Sequence, residues 1–532
     1  MLQKVWISLS ITLLALTVLF SYGNALQGEF LYDDEFLIQK NEIVQNLSLW
    51  TNAFTSSSTY GSGFKDSFYR PLQILSYSLI YQFFGLNTVA FHAFNVLLHF
   101  LNALLFLTLA LKILRSFSFE EQKARSYSLL ATLVWAVHPL HTEAVTYISA
   151  TADPLHTLFG LLFLHASLNK SWPWKALGLM FLTTAFLSKE ASVTFPGLLF
   201  AILFTQPRLE TWKEKWKKIF LQVSPSLLCA GIYAGLRAGP LDFQNSFQFY
   251  DTQNVYTESV WVRLYTALAG LPKYVQLWAW PDWLQIDRAF PVYVDFFTAP
   301  VLMGFGLFLL SLLGVLRGKQ NPLLAFASLW FWAYHSLHTG LLLPLNSFFL
   351  EHWMYIPSFS FALVSVYGAD QMAKRLSSKF NTKILYGVVL LWTLLLGIRT
   401  HFQNEVWSTP ISLYKHILTT SKEVARVHNN LGMAYSDRGD SQKAEEHYLK
   451  AIEINDIYPQ VRHNLGLLYL RQGKIDLGIY QLKEALHIQP DFYPSFIYLS
   501  KAYEFQGNEK LKKFYEEKAR KAQPQFSKPL TN

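Results

Sequence analysis

Apolar segments of about 17 to 25 residues recur through the first 400 residues of this 532-residue chain, separated by short polar loops. A helix of that length crosses the roughly 30 Å hydrocarbon layer of a bilayer and satisfies its backbone amides internally. Only 15% of the residues are charged, against about 25% in average soluble proteins. The pattern predicts an all-α fold whose first domain, residues 1–400, is a polytopic helical membrane domain.

Short basic loops predict the orientation of this domain. Lysine and arginine concentrate in cytoplasmic loops, so the net charge of +9 bears on topology rather than on nucleic-acid binding. Placing the five basic loops inside gives eleven spans, an external C-terminus, and external residues 23–87 and 238–297. Residues 259–280 are apolar enough for a twelfth span, but Pro272 favours an interfacial or re-entrant segment. The expected spans are residues 5–22, 88–113, 127–147, 153–169, 175–189, 190–206, 219–237, 298–316, 322–342, 352–370 and 383–400.

The first apolar run, residues 5–20, follows Lys4 and has two interpretations. One is a secretory signal peptide, although the run is long for that purpose and no small-x-small cleavage site follows it. The other is a retained first span with a cytoplasmic N-terminus, which we favour. A retained span places the polar loop that follows it on the external side.

This polar loop contains four carboxylates within seven residues, Glu29, Asp33, Asp34 and Glu35. A charged group at a membrane surface is costly to desolvate, so such a cluster marks a functional site by default. A hydrated loop that merely ends the helix is the alternative. Farther along, Arg70 precedes a short amphipathic segment that fits an interfacial helix. Its guanidinium suits bidentate phosphate contact or serves as an interfacial anchor.

Polar side chains also collect where the third span ends and the fourth begins, at His138, His141, Glu143 and Asp153. Two histidines with carboxylates can ligate a metal, although Pro139 interrupts the helix that would present them. The single cysteine of the chain excludes a cysteine-based metal site. A polar network lining a membrane-embedded cavity and simple capping of the helix ends are the other interpretations.

Lys189 and Glu190 lie between two apolar spans with almost no turn. A charged pair in that place must face a cavity, the headgroup zone or its own partner. The lysine can neutralise a phosphate there. The alternative is an ordinary interfacial pair whose lysine extends to the lipid headgroups.

After residue 400 the composition becomes that of a soluble domain, and a 34-residue period appears. Asn430-Leu431-Gly432 recurs as Asn464-Leu465-Gly466, and Gly439, Gly473 and Gly507 keep the same step. Small residues where paired helices cross, followed by a turn, are typical of tetratricopeptide repeats. We predict a linker or half repeat, three repeats forming a superhelix, and a tail at residues 401–424, 425–526 and 527–532, respectively.

The first helix of each repeat should line a concave groove. The groove residues would be Asn429, Asn430, His463 and Asn464. Asparagine amides can hydrogen-bond the backbone of an extended peptide without reading its side chains. Oligomerisation or scaffold binding through the repeats is the alternative.

Taken together, these motifs resemble those of the transmembrane and tetratricopeptide-repeat O-mannosyltransferases (the TMTC family) and their bacterial relatives in the GT-C glycosyltransferase superfamily. The order of membrane domain first and repeats afterwards also matches. The chain departs from the family in its short length, its few repeats and a middle domain that is only loosely recognisable around residues 264–287. The residues that carry the resemblance are Tyr32-Asp33-Asp34, Tyr69-Arg70-Pro71-Leu72, Phe91-His92, Asn95, His99, residues 138–153, Ser188-Lys189-Glu190 and Thr194.

The resemblance implies a GT-C enzyme that moves a mannose-like sugar from a polyprenyl-phosphate donor to an external hydroxyl, such as Ser or Thr of a protein held by the repeats. It implies Asp34 as the base, with Asp33 orienting it, although the sequence does not separate the two. The implied donor-phosphate contacts are Arg70 and Lys189. The implied sugar or acceptor pocket contains His138, His141, Glu143, Asp153 and Glu190.

Two other functions stay open at this point. One is a non-catalytic membrane scaffold whose repeats recruit envelope or lumenal partners, and the other is a flippase or transporter. No cofactor is expected besides the lipid-linked sugar donor, and a divalent metal requirement is open. We expect membrane lipids and an acceptor protein as partners, and a bacterial cytoplasmic membrane, with the endoplasmic reticulum membrane as the alternative.

Overall fold

A computed structural model describes residues 2–62, 68–207, 211–239, 254–286, 288–376 and 382–522. All regular elements in these ranges are helical, which confirms the predicted all-α class. The chain divides into two compact units, Met1–Trp407 and Ser408–Asn532. The helices of the first unit are α1 (Leu2–Tyr22), α2 (Glu42–Gln45), α3 (Pro71–Phe84), α4 (Thr88–Ser116), α5 (Glu121–Ala136), α6 (Thr142–Thr146), α7 (Ala152–Ser167), α8 (Trp172–Phe186), α9 (Phe195–Thr205), α10 (Trp212–Ala238), α11 (Val255–Glu258), α12 (Val260–Ala279), α13 (Ala299–Leu316), α14 (Pro322–His335), α15 (Ser358–Leu376) and α16 (Thr382–Val406).

Five helical stretches in the described ranges are long and apolar enough to cross a membrane, and all five coincide with expected spans. They are Lys4–Gln27, Thr88–Ser116, Trp212–Ala238, Ala299–Leu316 and Ile384–Val406. Helices at several other expected spans are shorter. For example, α7 and α8 have 16 and 15 residues, which at 1.5 Å per residue is about 24 and 23 Å. The number of eleven spans therefore stays a prediction.

The predicted third span, residues 127–147, is wrong in its second half. Helix α5 ends at Ala136, and Pro139 opens a 3₁₀ turn. Proline lacks the N–H of a continuing helix and disfavours helical geometry in the residue before it. Short turns and α6 carry the chain onward to α7. We call residues 137–151 the buried segment, because almost all of its side chains are shielded from solvent.

The helices of the first unit pack around α4 and α5. Helix α4 contacts α5 and α7, while α5 contacts α15 and α16. Aromatic rings fill this core, as where Phe106 and Phe359 stack with centroids 4.2 Å apart. Lipid is as apolar as these side chains, so close van der Waals packing is what favours helix association in a membrane. The buried segment lies inside this arrangement.

Helices α12 and α13 approach so closely that Gly304 lies against the backbone of Leu268. A Cβ atom at Gly304 would be 1.8 Å from the Leu268 carbonyl oxygen, whereas a Cβ at Gly306 would meet open space. We expect Gly304→Ala to destabilise the full-length protein by about 1–3 kcal/mol, because such overpacking moves backbone. Thermal unfolding in detergent measures the effect. Gly306→Ala is the matched control and should change stability by about 0.5 kcal/mol or less; equal midpoints for the two variants would contradict the close approach.

The second unit contains helix α17 (Pro410–Thr420) and three helix pairs in a 34-residue step, which confirms the predicted tetratricopeptide repeats. At the turn inside each pair stands a glycine with a positive φ of 79°, 76° or 70° (Gly439, Gly473 and Gly507), a conformation that glycine adopts without steric cost. The pairs are α18 (Ala425–Asp437) with α19 (Ser441–Ile454), α20 (Pro459–Arg471) with α21 (Ile475–Ile488), and α22 (Tyr493–Phe505) with α23 (Glu509–Ala522).

The borders of the repeats differ slightly from the prediction. Helix α16 continues to Val406, so the first residues of the predicted linker belong to a helix of the first unit. Helix α17 packs against α18, in the position expected for a half repeat. The end of the third repeat and the predicted tail lie outside the described residues.

Candidate functional site

We call Tyr32-Asp33-Asp34 the acidic motif. It forms a tight turn that precedes a π-helical turn, Glu35–Gln39. The Asp34 N–H donates to the Leu31 carbonyl oxygen at 2.9 Å and closes the turn. Tyr32 has a φ of 51°, a left-handed conformation that costs a residue with a side chain on the order of 1 kcal/mol or more. Such strain persists where surrounding contacts over-determine the backbone, and it clusters at functional sites.

The two aspartates of this motif have different environments. The Asp34 carboxylate is fully buried, accepting from the Leu31 N–H at 2.7 Å and from the Ser149 hydroxyl. Burial raises the pKa of Asp34 to about 7, although both hydrogen bonds oppose the increase. The side chain of Asp33 is exposed, and its backbone N–H donates to Tyr147 Oη at 2.9 Å. Asp34 is therefore the carboxyl that can change protonation near neutral pH.

Arg70 and Glu190, predicted for the phosphate contact and the pocket, lie side by side. The guanidinium donates twice, from Nε to Oε2 at 3.1 Å and from Nη2 to Oε1 at 2.7 Å. It also lies over the Phe68 ring, 4.5 Å from the centroid. The Leu72 N–H donates to the Leu187 carbonyl oxygen at 3.1 Å, tying the start of α3 to the end of α8. A bidentate pair of this kind fixes the orientation of the arginine.

Lys189 and Asp153 form a second ion pair, with Nζ and Oδ1 2.6 Å apart and side chains only 8% and 6% exposed. His156 lies beside them, with its Nδ1 3.2 Å from Ser192 Oγ. Because Lys189 and Glu190 are consecutive, the two ion pairs are neighbours along the chain. Four of the predicted site residues are thus brought together as two cations, each held by a carboxylate.

Glu143 is paired with a histidine that the sequence did not indicate, His352. Glu143 Oε1 lies 2.7 Å from His352 Nδ1, and Oε2 accepts the His352 backbone N–H at 3.1 Å. The preceding residue, Glu351, is bound by Arg288 at 2.9 Å, and burial raises the pKa of Glu351 to about 8. Glu351 and His352 belong to the connection between α14 and α15, where no motif or charge pattern pointed to a site.

His138 and His141 do not join these ion pairs. The His138 ring stacks on Trp278 with centroids 4.1 Å apart, and its Nδ1 accepts the Leu140 N–H at 3.2 Å. His141 is fully buried, with its Nε2 2.9 Å from Ser358 Oγ. Both rings hold the buried segment in the core, and only His138 caps a helical turn. A place for either ring in a sugar or acceptor pocket stays a prediction. In the described ranges no three metal-ligating side chains are grouped to hold an ion.

The buried segment connects the acidic motif to the ion pairs. Ser149 donates to Asp34, and Asp153, four residues later, pairs with Lys189. Four residues of chain extend over at most about 14 Å. From α3, the Gln73 amide donates to the Ser149 carbonyl oxygen at 2.7 Å and supports the same stretch. One short piece of chain thus contacts both Asp34, through Ser149, and Lys189, through Asp153.

In the repeats, the predicted groove residues divide into two groups. The Asn464 amide donates to Asn429 Oδ1 at 2.9 Å, and the Asn429 amide donates to Asn430 Oδ1 at 3.2 Å. These asparagines form a row across the first helices of successive repeats. His463 differs from the prediction, because its Nδ1 lies 3.0 Å from Ser495 Oγ of the next repeat, whereas burial does not separate it from Asn429, which is also buried. It links the second repeat to the third instead of facing a groove.

Comparison with known proteins gives matches in both units. A family model described as tetratricopeptide repeat matches residues 425–456. The chain is 26% identical over 474 residues to protein O-mannosyl-transferase F38B6.6 of Caenorhabditis elegans, covering 82% of this chain and 62% of that protein. It is 27% identical over 510 residues to protein O-mannosyl-transferase TMTC1 of Homo sapiens, covering 84% and 55%. For protein O-mannosyl-transferase TMTC3 of Mus musculus the values are 24% over 526 residues, covering 90% and 54%.

The chain spans little more than half the length of these curated relatives. The similarity nevertheless covers at least 82% of the chain in each comparison. The resemblance to the TMTC-like family that the sequence motifs indicated is therefore confirmed.

Proposed function

We propose that the chain is an integral-membrane glycosyltransferase of the GT-C class. It transfers a mannose-like monosaccharide from a polyprenyl-phosphate carrier to an extracytoplasmic hydroxyl, a Ser or Thr of a protein. The observation that carries the proposal is the short connection, through Ser149, between a buried carboxyl with a pKa of about 7 and the Lys189–Asp153 pair. The three relatives, each named a protein O-mannosyl-transferase, support sugar transfer to a protein.

In the proposed reaction, Asp34 accepts the proton of the acceptor hydroxyl while that oxygen bonds to the anomeric carbon of the sugar. The bond between the anomeric carbon and the phosphate oxygen breaks, and the phosphate leaves with its lipid. Lys189 and Arg70 stabilise the negative charge of the departing phosphate. Their carboxylate partners, Asp153 and Glu190, hold the two cations in place before the donor arrives.

Purified full-length protein in nanodiscs, supplied with labelled polyprenyl-phosphate mannose and a mixture of secreted proteins, tests the proposal. We expect label to enter Ser and Thr side chains. Movement of the lipid between leaflets without transfer would instead favour a transporter. Binding of envelope or lumenal proteins without either activity would favour the scaffold.

The rate of transfer should increase with pH through about 7. Burial raises the pKa of Asp34 to about 7, and the group acts as a base only when ionised. Below that pH each unit should therefore lower kcat/KM by about tenfold. The charge of Asp33 also raises the pKa of Asp34, so Asp33→Asn should move the midpoint to lower pH. A kcat/KM profile that is flat from pH 5 to 9 would exclude Asp34 as the base.

The repeats should bring in the protein acceptor through the row of asparagines. Asn464→Leu removes an amide that donates to Asn429 at 2.9 Å, and it should raise KM for a protein acceptor severalfold while leaving transfer to a short peptide unchanged. Glu446→Gln, on the exposed side of α19, is the matched control. A chain ending at Trp407 that keeps its choice of acceptors would disprove this role for the repeats.

A further inference from the structure

His352 is held by Glu143 at two points, its ring and its backbone. The ring nitrogen Nδ1 lies 2.7 Å from Oε1, and the backbone N–H donates to Oε2 at 3.1 Å. The Glu143 side chain is 6% exposed and that of His352 is 18% exposed. A carboxylate on Nδ1 fixes the tautomer and the ring orientation, so the second nitrogen, Nε2, points away from Glu143. Among the described residues Nε2 has no hydrogen-bond partner.

The surroundings of His352 contain the ion pair of the candidate site. Asp153 lies within electrostatic range of both Lys189 and His352, and His338 lies within range of the same three residues. His338 stacks on Trp353 with centroids 4.9 Å apart, and its Nδ1 is a buried atom without a partner in the described part of the chain. A buried polar nitrogen of this kind is costly unless a ligand or water satisfies it.

The charges in this cluster indicate what kind of ligand it would take. Lys189 is already neutralised by Asp153 in the structure. A phosphate arriving beside Asp153 therefore needs further positive charge and further N–H donors. Protonation of His352 supplies both, and Glu143 stabilises the resulting imidazolium. Glu143 contacts His352 directly, and Asp153 and His338 interact with it electrostatically. The titratable groups next to these partners are Lys189, His156, His335 and Glu351.

We propose that His352, oriented by Glu143, contacts the phosphate of the lipid-linked donor together with Lys189, and that binding of the phosphate takes up one proton. The assignment rests on the proposed function for the identity of the donor. His352 touches the ligand in this proposal, and Glu143 is a positioning residue that acts through it. Arg70 and Lys189 were the only cations that the sequence suggested for this task.

The test measures binding of polyprenyl phosphate, without sugar, to full-length protein in nanodiscs of neutral lipid between pH 5.5 and 8. We expect His352→Gln to lower affinity about tenfold at pH 6 and by a smaller factor at pH 8, so that the ratio of wild-type to variant affinity falls as pH rises. His352→Arg should restore affinity, and the slope that remains in it belongs to the phosphate, whose second pKa is about 6. Glu143→Gln should lower affinity by a smaller factor. His401→Gln, in α16 outside the cluster, should bind as the wild type.

Two further ligands separate the sources of the effect. A polyprenyl alcohol of the same length should bind independently of His352, and inorganic phosphate should compete only weakly. Equal effects of His352→Gln on the alcohol and the phosphate, or an unchanged affinity and slope in a folded His352→Gln protein, would overturn the inference. Binding that depends on His352 without any sugar transfer would instead disprove the proposed function and leave the phosphate site standing.

Discussion

Asp34→Asn should reduce kcat/KM for sugar transfer by about 10²- to 10⁴-fold, the usual contribution of a general base. Asparagine has nearly the shape of aspartate, and its side-chain oxygen can still accept the Leu31 N–H that meets Asp34 at 2.7 Å. The strained turn at Tyr32 should therefore persist. What is lost is the ability to accept a proton, so affinity for polyprenyl phosphate should stay near that of the wild type.

Two control variants accompany this prediction. Asp33→Asn should lower transfer by less than about tenfold, because the Asp33 side chain is exposed, whereas Asp34 is buried and accepts from Ser149. Ser149→Ala should also leave transfer measurable, since the hydroxyl only donates to the base. Transfer at the wild-type rate by Asp34→Asn would show that the base lies elsewhere.

The pH dependence of stability shows whether Asp34→Asn is folded. Burial raises the pKa of Asp34 from its ordinary 3.8 to about 7, so the folded chain holds this proton more tightly than the unfolded chain does. The contribution of Asp34 to the free energy of unfolding is therefore lost as pH rises from about 4 to about 7. The full loss is on the order of 4 kcal/mol. Asparagine carries no such proton. Asp34→Asn should therefore unfold at a higher temperature than the wild type above pH 7 and at a similar temperature near pH 4.

Removing one partner of the Asp153–Lys189 pair should lower the free energy of unfolding by about 3–5 kcal/mol, because the other charge is left buried and uncompensated. Both side chains are less than one tenth exposed. The variants Asp153→Leu and Lys189→Met test this, with thermal unfolding of the full-length protein as the measurement. The double variant should recover most of the stability, since it buries no charge, but it should not recover binding of polyprenyl phosphate.

An exposed pair serves as the comparison for this cycle. Lys450 and Glu453 lie 2.9 Å apart in the second unit with side chains 40% and 70% exposed, and Glu453→Gln should cost less than about 1 kcal/mol. If the double variant of Asp153 and Lys189 were as unstable as either single variant, the attraction between these two charges would not be what stabilises the protein here. Full recovery of lipid-phosphate binding would remove Lys189 from the proposed site.

The positions of the helices could be predicted where the local pattern determines them. The 34-residue repeat set the starts of α18, α20 and α22, and apolar runs located α4 and α13 to within three residues, whereas α10 begins seven residues before the predicted span. The third span was predicted too long because the apolar run was followed to residue 147, although Pro139 interrupts the helix. A hydropathy pattern reflects the polarity of side chains, whereas proline interrupts a helix through its backbone.

The partners within the site could not be predicted, because they come from distant parts of the chain. Asp34 and Ser149 are 115 positions apart, and Glu143 and His352 are 209 apart. The residue types that suit acid–base work were visible in the sequence, but no local period relates such pairs. In the sequence, His138 and Glu143 were equally good candidates for the site. Only the fold shows that the His138 ring stacks on Trp278, whereas the Glu143 carboxylate holds another histidine.

The hydroxyl that donates a hydrogen bond to Asp34 in this structure belongs to Ser149. It is chemically the same group as the acceptor of the proposed reaction. With Asp34 fully enclosed, bulk water has no direct route to the base. A resting enzyme of this kind would be guarded against wasting activated sugar by hydrolysis, because its own serine imitates the substrate until a real one takes its place. Ser149→Gly should loosen that protection, and the leak would show as free monosaccharide released without any acceptor.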